Sequence, residues 1–305
     1  MLNLDKSTFL NEYHFNEDYL KQYNIDWENL MLIYNDYLYL KPQLETQANY
    51  IADVFRKHKN VHTVKSRVKE PNHLVAKLIR KTSDRQKTYG NEFQFSVENY
   101  RKEITDLIGV RVIHIFKEDW ENIHNFIKET WETIEIVANI RDGDNKEPYE
   151  NLGLSIKSRE SGYRSVHYLV NFTPTRQNVI AEIQVRTIFE EGYGEIDHQL
   201  RYPSNDIPNV LALNLLVLNR LAGSADELSS VVKLLNDSWN EMGHEYKAII
   251  EKKDIELKKL KSRIEKLEID ESEKRSLVSD ISNILVQELS DDILSFSDKL
   301  KDFTG

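Results

Sequence analysis

The chain has 305 residues, of which 40% are hydrophobic and 30% charged, enough to bury one sizeable core with or without appendages. No stretch reaches the roughly 18 uncharged apolar residues of a membrane helix. Asp5, Glu12, Glu17 and Asp18 leave no apolar signal segment near the amino terminus, and the absence of cysteine excludes disulfides, zinc fingers and thiol nucleophiles, so a cytoplasmic protein without membrane partners is expected.

The first fifty residues read as helical, with Tyr23, Trp27, Leu30, Ile33, Tyr37 and Leu40 at helical spacing and Pro42 marking a break or a new start. A further helix is expected over Gln43 to Lys59. Val61 to Lys69 is β-branched and basic, which suits an extended segment. Pro71 suits the first turn of a helix running to about Lys81, and the polar stretch Thr82 to Phe95 reads as a loop.

Three strands are expected next, at Leu107–Phe116, Tyr163–Phe172 and Ile180–Ile188. The last alternates most cleanly, with Glu182, Gln184 and Arg186 on one face and Ile183 and Val185 on the other. Between the first two, Glu118–Glu132 reads as an amphipathic helix and Thr133–Ala138 as an additional strand. The order predicts an α+β fold, a mixed β-sheet flanked by helices.

Beyond Pro208 the pattern is helical. Val210, Leu211, Leu213, Leu215, Leu216, Leu218 and Leu221 predict a helix packed on the core. Ile250, Leu257 and Ile264 then recur every seven residues, with Leu260 and Leu267 between them, about two heptads. Ile281, Ile284, Leu285, Leu289, Ile293 and Leu294 form a second amphipathic run, so a helical hairpin turning near Asp270–Lys274 is expected. The expected division is a helical segment over 1–50, a central domain over 51–206, a core-packing helix over 207–240 and a helical arm over 241–305.

Charge is unevenly spread. From Asp53 to Lys87 there are eleven Lys or Arg against Asp53, Glu70 and Asp84, in a chain of net charge −10. A basic island in an acidic protein faces an anion or is a solvated helix surface. On the strands, Asp106 and Arg111, then Tyr163, Arg164 and His167, then Glu182, Gln184 and Arg186 share polar faces. Acids on neighbouring strands with cations around them suit magnesium-dependent transfer of phosphoryl groups, the acids holding the hard cation and the cations neutralising phosphate. A merely solvated, salt-bridged sheet face would show the same alternation.

The runs VKSRVKEPNHLVAKL (64–78), ITDLIGVRVI (104–113), SGYRSVHYLV (161–170), AEIQVRT (181–187) and EIDHQLRY (195–202) resemble the synthetase domain of the RelA/SpoT family. The five runs stand in the family's order. The resemblance implies transfer of pyrophosphate from ATP to the ribose 3′-hydroxyl of GDP or GTP, making (p)ppGpp. It places Arg67 and Arg111 around the adenine and Lys69 and Lys77 on the donor phosphates. Asp106 becomes the Mg2+ ligand, and Glu182 the second acid, binding metal or deprotonating the hydroxyl. Tyr163 becomes the surface on which guanine stacks, with His167 and Gln184 lining the acceptor side, while His198 supports the fold and Glu195 reaches toward the site.

Where the family commonly has Lys and Asn before the Gly-Tyr pair, this chain has Arg159 and Ser161. Arg159 can meet an acceptor phosphate, but Glu160 puts a negative charge beside it. The runner-up acceptor is therefore the 3′ end of tRNA, which would make the protein a toxin with an antitoxin and give Lys57, Lys59, Arg85 and Lys87 an RNA backbone to hold. A third reading, a catalytically idle nucleotide sensor, is disfavoured because both acids are present. No His-Asp constellation of a hydrolase is found. The helical arm suits packing on the core, self-association, or binding of a partner or antitoxin.

Overall fold

The computed structural model describes residues 4–174, 178–201, 207–266, 268 and 270–283. The first two helices are opened by side-chain caps: Asp5 accepts from the Thr8 N–H before α1 (Lys6–Glu12), and Asn16 from the Tyr19 N–H before α2 (Glu17–Gln22). α3 (Trp27–Arg56) then runs unbroken through Pro42, which corrects the expected break there and the boundary at residue 50. Proline removes one backbone hydrogen bond, but Tyr37, Leu44, Ala48, Ile51 and Phe55 on either side are fully buried and hold the two halves in line.

After β1 (Thr63–Val68), α4 (Pro71–Tyr89) starts at its proline as expected but continues eight residues beyond Lys81, where a loop was expected. Its polar residues face inward: Thr82 donates to the Leu78 carbonyl, and the Gln86 amide donates to the carbonyl of Tyr23 at 2.9 Å. The helix stops at Gly90, whose φ of +101° few other residues adopt. The remaining elements are α5 (Tyr100–Glu103), β2 (Ile108–His114), α6 (Asp119–Thr130), β3 (Glu132–Ile140), α7 (Glu147–Glu150), β4 (Ser155–Ser158), β5 (Ser165–Phe172), β6 (Val179–Thr187), α8 (Ile188–Arg201) and α9 (Asn209–Glu265).

The strands form one six-stranded sheet in the order β1-β2-β6-β5-β3-β4. β2 and β6 are parallel at its centre and β1 and β5 run antiparallel beside them, so the sheet is mixed, as the element order predicted. One face is apolar: Val110, Val112, Val166, Tyr168, Ile183 and Val185 are buried. Each such side chain contributes about 1.5–3 kcal/mol on burial. α3 and α6 cover this face, Trp120 and His124 closing on the Tyr168 hydroxyl at 3.0 and 3.1 Å, so that buried hydroxyl is satisfied.

The chain divides into two compact units, Met1–Val231 and Val232–Gly305, and α9 runs across the division without a break at 240. In the first unit α9 reverses the expected packing. Leu215 is buried, but Val210, Leu211, Leu213, Leu216 and Leu221 are exposed, while Asn219 and Asp226 are buried. Residues 215, 219, 223 and 226 follow a helical i, i+4, i+8, i+11 row, and it is this mostly polar or small row that meets the core. In the second unit Ile264 is buried whereas Ile250 and Leu260 are exposed. Helical structure resumes over 271–283, with Asp270 accepting from the Ser272 N–H at its start. Leu267, Ile284, Leu285, Leu289, Ile293 and Leu294 lie outside the described residues. Among the described residues no helix is long and apolar enough to cross a membrane.

Candidate active site

The polar face of the sheet is fixed by strand register. Lys65, Arg111, Gln184 and His167 are successive partners across β1, β2, β6 and β5, and Arg67, Gly109, Glu182 and Leu169 form the next row. Partners in register point to the same side. Arg67 therefore lies over Gly109, where a Cβ would stand 3.2 Å from its Nε; the missing side chain is what lets the guanidinium cross the sheet toward Arg111.

At the entry to β2, Asp106 draws two cations out of the basic island. The ammonium groups of Lys69 and Lys77 each stand 2.7 Å from its Oδ2, while Oδ1 is buried with no partner in the chain. Burial pushes the Asp106 carboxyl up, but the two lysines outweigh it and hold it below its ordinary value. Burial lowers Lys69, with Asp106 opposing that and Lys77 adding to it.

Around β5 and β6 a directed chain of hydrogen bonds forms. Arg186 donates to the Tyr163 hydroxyl, which faces His167 Nε2 at 2.9 Å, and His167 Nδ1 faces Glu182 Oε1 at 3.2 Å. The guanidinium can only donate, so Tyr163 accepts from it, and the Glu182 carboxylate can only accept, so His167 Nδ1 carries a proton toward it. Glu182 Oε2 accepts from Gln184 at 2.8 Å. Burial again raises this carboxyl, and the His167 bond, with Gln184, brings it below its ordinary value. Burial pushes the Tyr163 hydroxyl up, against the pull of Arg186.

Arg67, Arg111, Tyr163 and Gln184 line one cleft of about 280 Å³, together with Arg186, Gly194, Glu195, Asp197, His198 and Arg201. Tyr163 is not a bare platform: the Arg186 guanidinium carbon lies 4.8 Å from its ring centroid and occupies one face. Arg111 is held by Glu191 at 2.9 Å and by Glu195. Arg159 stands apart from this network, exposed at the β3–β4 edge, with its Nε donating to Asn139 at 2.7 Å. Of the other cations, Arg85 pairs with Glu103 at 2.6 Å and Lys87 with Asp84 at 3.7 Å.

The turn that carries Tyr163 is clamped by α9. Gly162 has φ of +75° and a Cβ there would stand 2.8 Å from Asn219, whose amide donates to the Gly162 carbonyl at 2.8 Å. Arg164 donates to the Asn219 carbonyl at 3.2 Å and would meet a Cβ at Gly223 at 2.8 Å. Sequence reasoning placed Arg186 on the polar face without a role, and missed Glu191 and Asn219. The available signal for Asn219 was a polar residue recurring with Gly223 and Asp226 on one stripe of a leucine-rich helix.

Residues 66–207 match the family model described as the region found in RelA/SpoT proteins. The GTP pyrophosphokinase YwaC of Bacillus subtilis (strain 168) is 29% identical over 218 residues, 69% of this chain and 91% of that protein. The GTP pyrophosphokinase YjbM of the same organism is 34% identical over 80 residues, 25% of this chain and 38% of that protein. The crystal structure of small alarmone synthetase 1 from Bacillus subtilis aligns at 21% identity with a TM-score of 0.48, over 67% of this chain and 95% of the other. Over residues 66–207 the chain is therefore similar to the region found in RelA/SpoT proteins.

Proposed function

We propose that this protein is an ATP-dependent pyrophosphokinase that moves the β,γ-pyrophosphoryl group of ATP to the 3′-hydroxyl of GDP or GTP, making (p)ppGpp. The observation that carries the reading is the pair of half-buried carboxylates, Asp106 at the entry to β2 and Glu182 on the face that also carries Arg67 and Arg111, each held ionised by its own partners. The match to two proteins named GTP pyrophosphokinases supports it.

In this reading the adenine lies between the guanidiniums of Arg67 and Arg111, whose planar groups suit stacking better than an ammonium does. Lys69 and Lys77 exchange part of their hold on Asp106 for the donor phosphates. Tyr163 offers its free ring face to guanine, and the bond chain through His167 orients Glu182 toward the acceptor 3′-hydroxyl. The 3′-oxygen attacks the β-phosphorus, its proton passes to Glu182, the bond from the β-phosphorus to the bridging oxygen breaks, and AMP leaves.

Asp106 fits a magnesium site, because its Oδ1 is a buried carboxylate oxygen with no other partner. No cluster of three or more His, Cys, Asp or Glu is present among the described residues, which suits a cation that takes one or two carboxylates and completes its shell with water and phosphate. Bound Mg2+ would neutralise phosphate charge.

The nucleotide acceptor is favoured over tRNA because Arg85 and Lys87, two of the four cations available for an RNA backbone, have carboxylate partners of their own. The test is transfer of label from γ-labelled ATP, with magnesium, to GDP, GTP or deacylated tRNA in parallel. Label in a guanosine tetra- or pentaphosphate is expected; label on tRNA alone would overturn the choice of acceptor.

A further inference from the structure

We infer that Glu191 is a positioning residue that fixes the donor and acceptor halves of the site to each other. This rests on the reading of the cleft as a two-nucleotide site. One carboxylate oxygen of Glu191 accepts from Arg111 Nη1 on β2 at 2.9 Å, and the other accepts from Arg186 Nη1 on β6 at 2.9 Å. Arg186 in turn holds Tyr163 through its hydroxyl and its ring face, and Gln184 Oε1 at 2.7 Å. A single side chain on α8 thus sets the plane of the arginine assigned to adenine and the plane of the arginine that orients the acceptor tyrosine.

All three groups are shielded: the side-chain exposures of Glu191, Arg111 and Arg186 are 12%, 11% and 4%. Two like charges on adjacent strands repel strongly where water is scarce, and a shared carboxylate is the charge that lets both remain there. Glu195 provides the internal contrast. It also pairs with Arg111, but it has no bond to Arg186 and is 35% exposed. α8 can approach this closely because Gly194 leaves room, a Cβ there standing 3.0 Å from Arg186 Nη1.

The experiment measures equilibrium binding of a non-hydrolysable ATP analogue and of GDP, each alone, together with turnover, for Glu191→Gln, Glu191→Asp and Glu195→Gln. Aspartate keeps the charge but withdraws the carboxylate by one methylene, so that it reaches one arginine at a time. Both Glu191 variants are expected to weaken both nucleotides by about threefold to tenfold and to lower turnover further, whereas Glu195→Gln weakens the ATP analogue alone. If Glu191→Gln fails to fold, Glu191→Asp carries the same comparison. An aspartate variant with wild-type affinities for both nucleotides would reduce Glu191 to a source of charge and overturn the inference. So would a Glu191 variant that weakens only one of them. Wild-type protein that binds both nucleotides but forms no guanosine polyphosphate would overturn the proposed reaction, while the paired affinities would still decide the role of Glu191.

Discussion

The first compact unit holds two polar surfaces that are built on opposite terms. On the sheet, Asp106 and Glu182 are half-buried among donors that compensate them, and Asp106 still keeps one oxygen open. On α9, Asn219 completes its bond to the Gly162 carbonyl, but Asp226, 1% exposed, is left with two oxygens that lack a partner of normal geometry. Burial, with the charge of Glu190 next, pushes the Asp226 carboxyl up to about 6, while Thr187, Lys117 and Arg164 pull the other way. Compensated charge marks the surface arranged for a ligand. Uncompensated charge marks the surface that docks a helix.

The sheet surface is where the largest effect is expected. Asp106→Asn and Glu182→Gln preserve shape and remove one negative charge each, so the fold should persist while pyrophosphoryl transfer falls by about a thousandfold or more. Circular dichroism and turnover on the same preparations would check this. A folded variant that retains most of its turnover would show that these acids do not serve the reaction.

The α9 surface gives a smaller, pH-dependent effect. The Asp226 carboxyl is raised in the folded state, so the folded form binds its proton more tightly than the unfolded form does. Ionised above pH about 6, the group costs stability; that cost disappears as pH falls below its unfolded value. Asp226→Asn should therefore stabilise the protein by about 1–3 kcal/mol near pH 7.5, the advantage shrinking toward zero by about pH 4. Taking the difference between variant and wild type cancels Asp106 and Glu182, whose depressed values make the chain lose stability with acid. Denaturant unfolding across pH would read it, and a difference independent of pH would place the cost elsewhere.

The same contrast explains what could be read from the residues alone. The sheet was legible because period-two alternation and burial agree there: β6 buries Ile183 and Val185 on the apolar side and turns Glu182, Gln184 and Arg186 to the other. α4 and α9 were misread because inward-facing polar side chains satisfied by backbone leave no mark in hydropathy. Gln86 reaches the Tyr23 carbonyl, and Asn219 that of Gly162, over separations of 63 and 57 residues that no local pattern encodes. Glu191 was missed for a related reason. An acid on a helix surface gains meaning only when two strands deliver Arg111 and Arg186 to it.

The smallest expected change, at Leu221, tests which face of α9 supports the fold. Leu215 is 4% exposed and Leu221 is 63% exposed, yet both stand in the same helix with the same local propensity. Truncation to alanine removes the same atoms from each, so the difference between the two reports burial. Leu215→Ala should cost about 2–4 kcal/mol, whereas Leu221→Ala should lie within about 0.5 kcal/mol of wild type. Urea unfolding at several protein concentrations would separate the two. Equal losses would mean that the leucine face is covered, and the polar row would then not be the one that anchors the helix. A negligible loss at Leu221 alone leaves Asn219 and Gly223 as the contacts through which α9 holds the Gly162–Arg164 turn, and with it Tyr163.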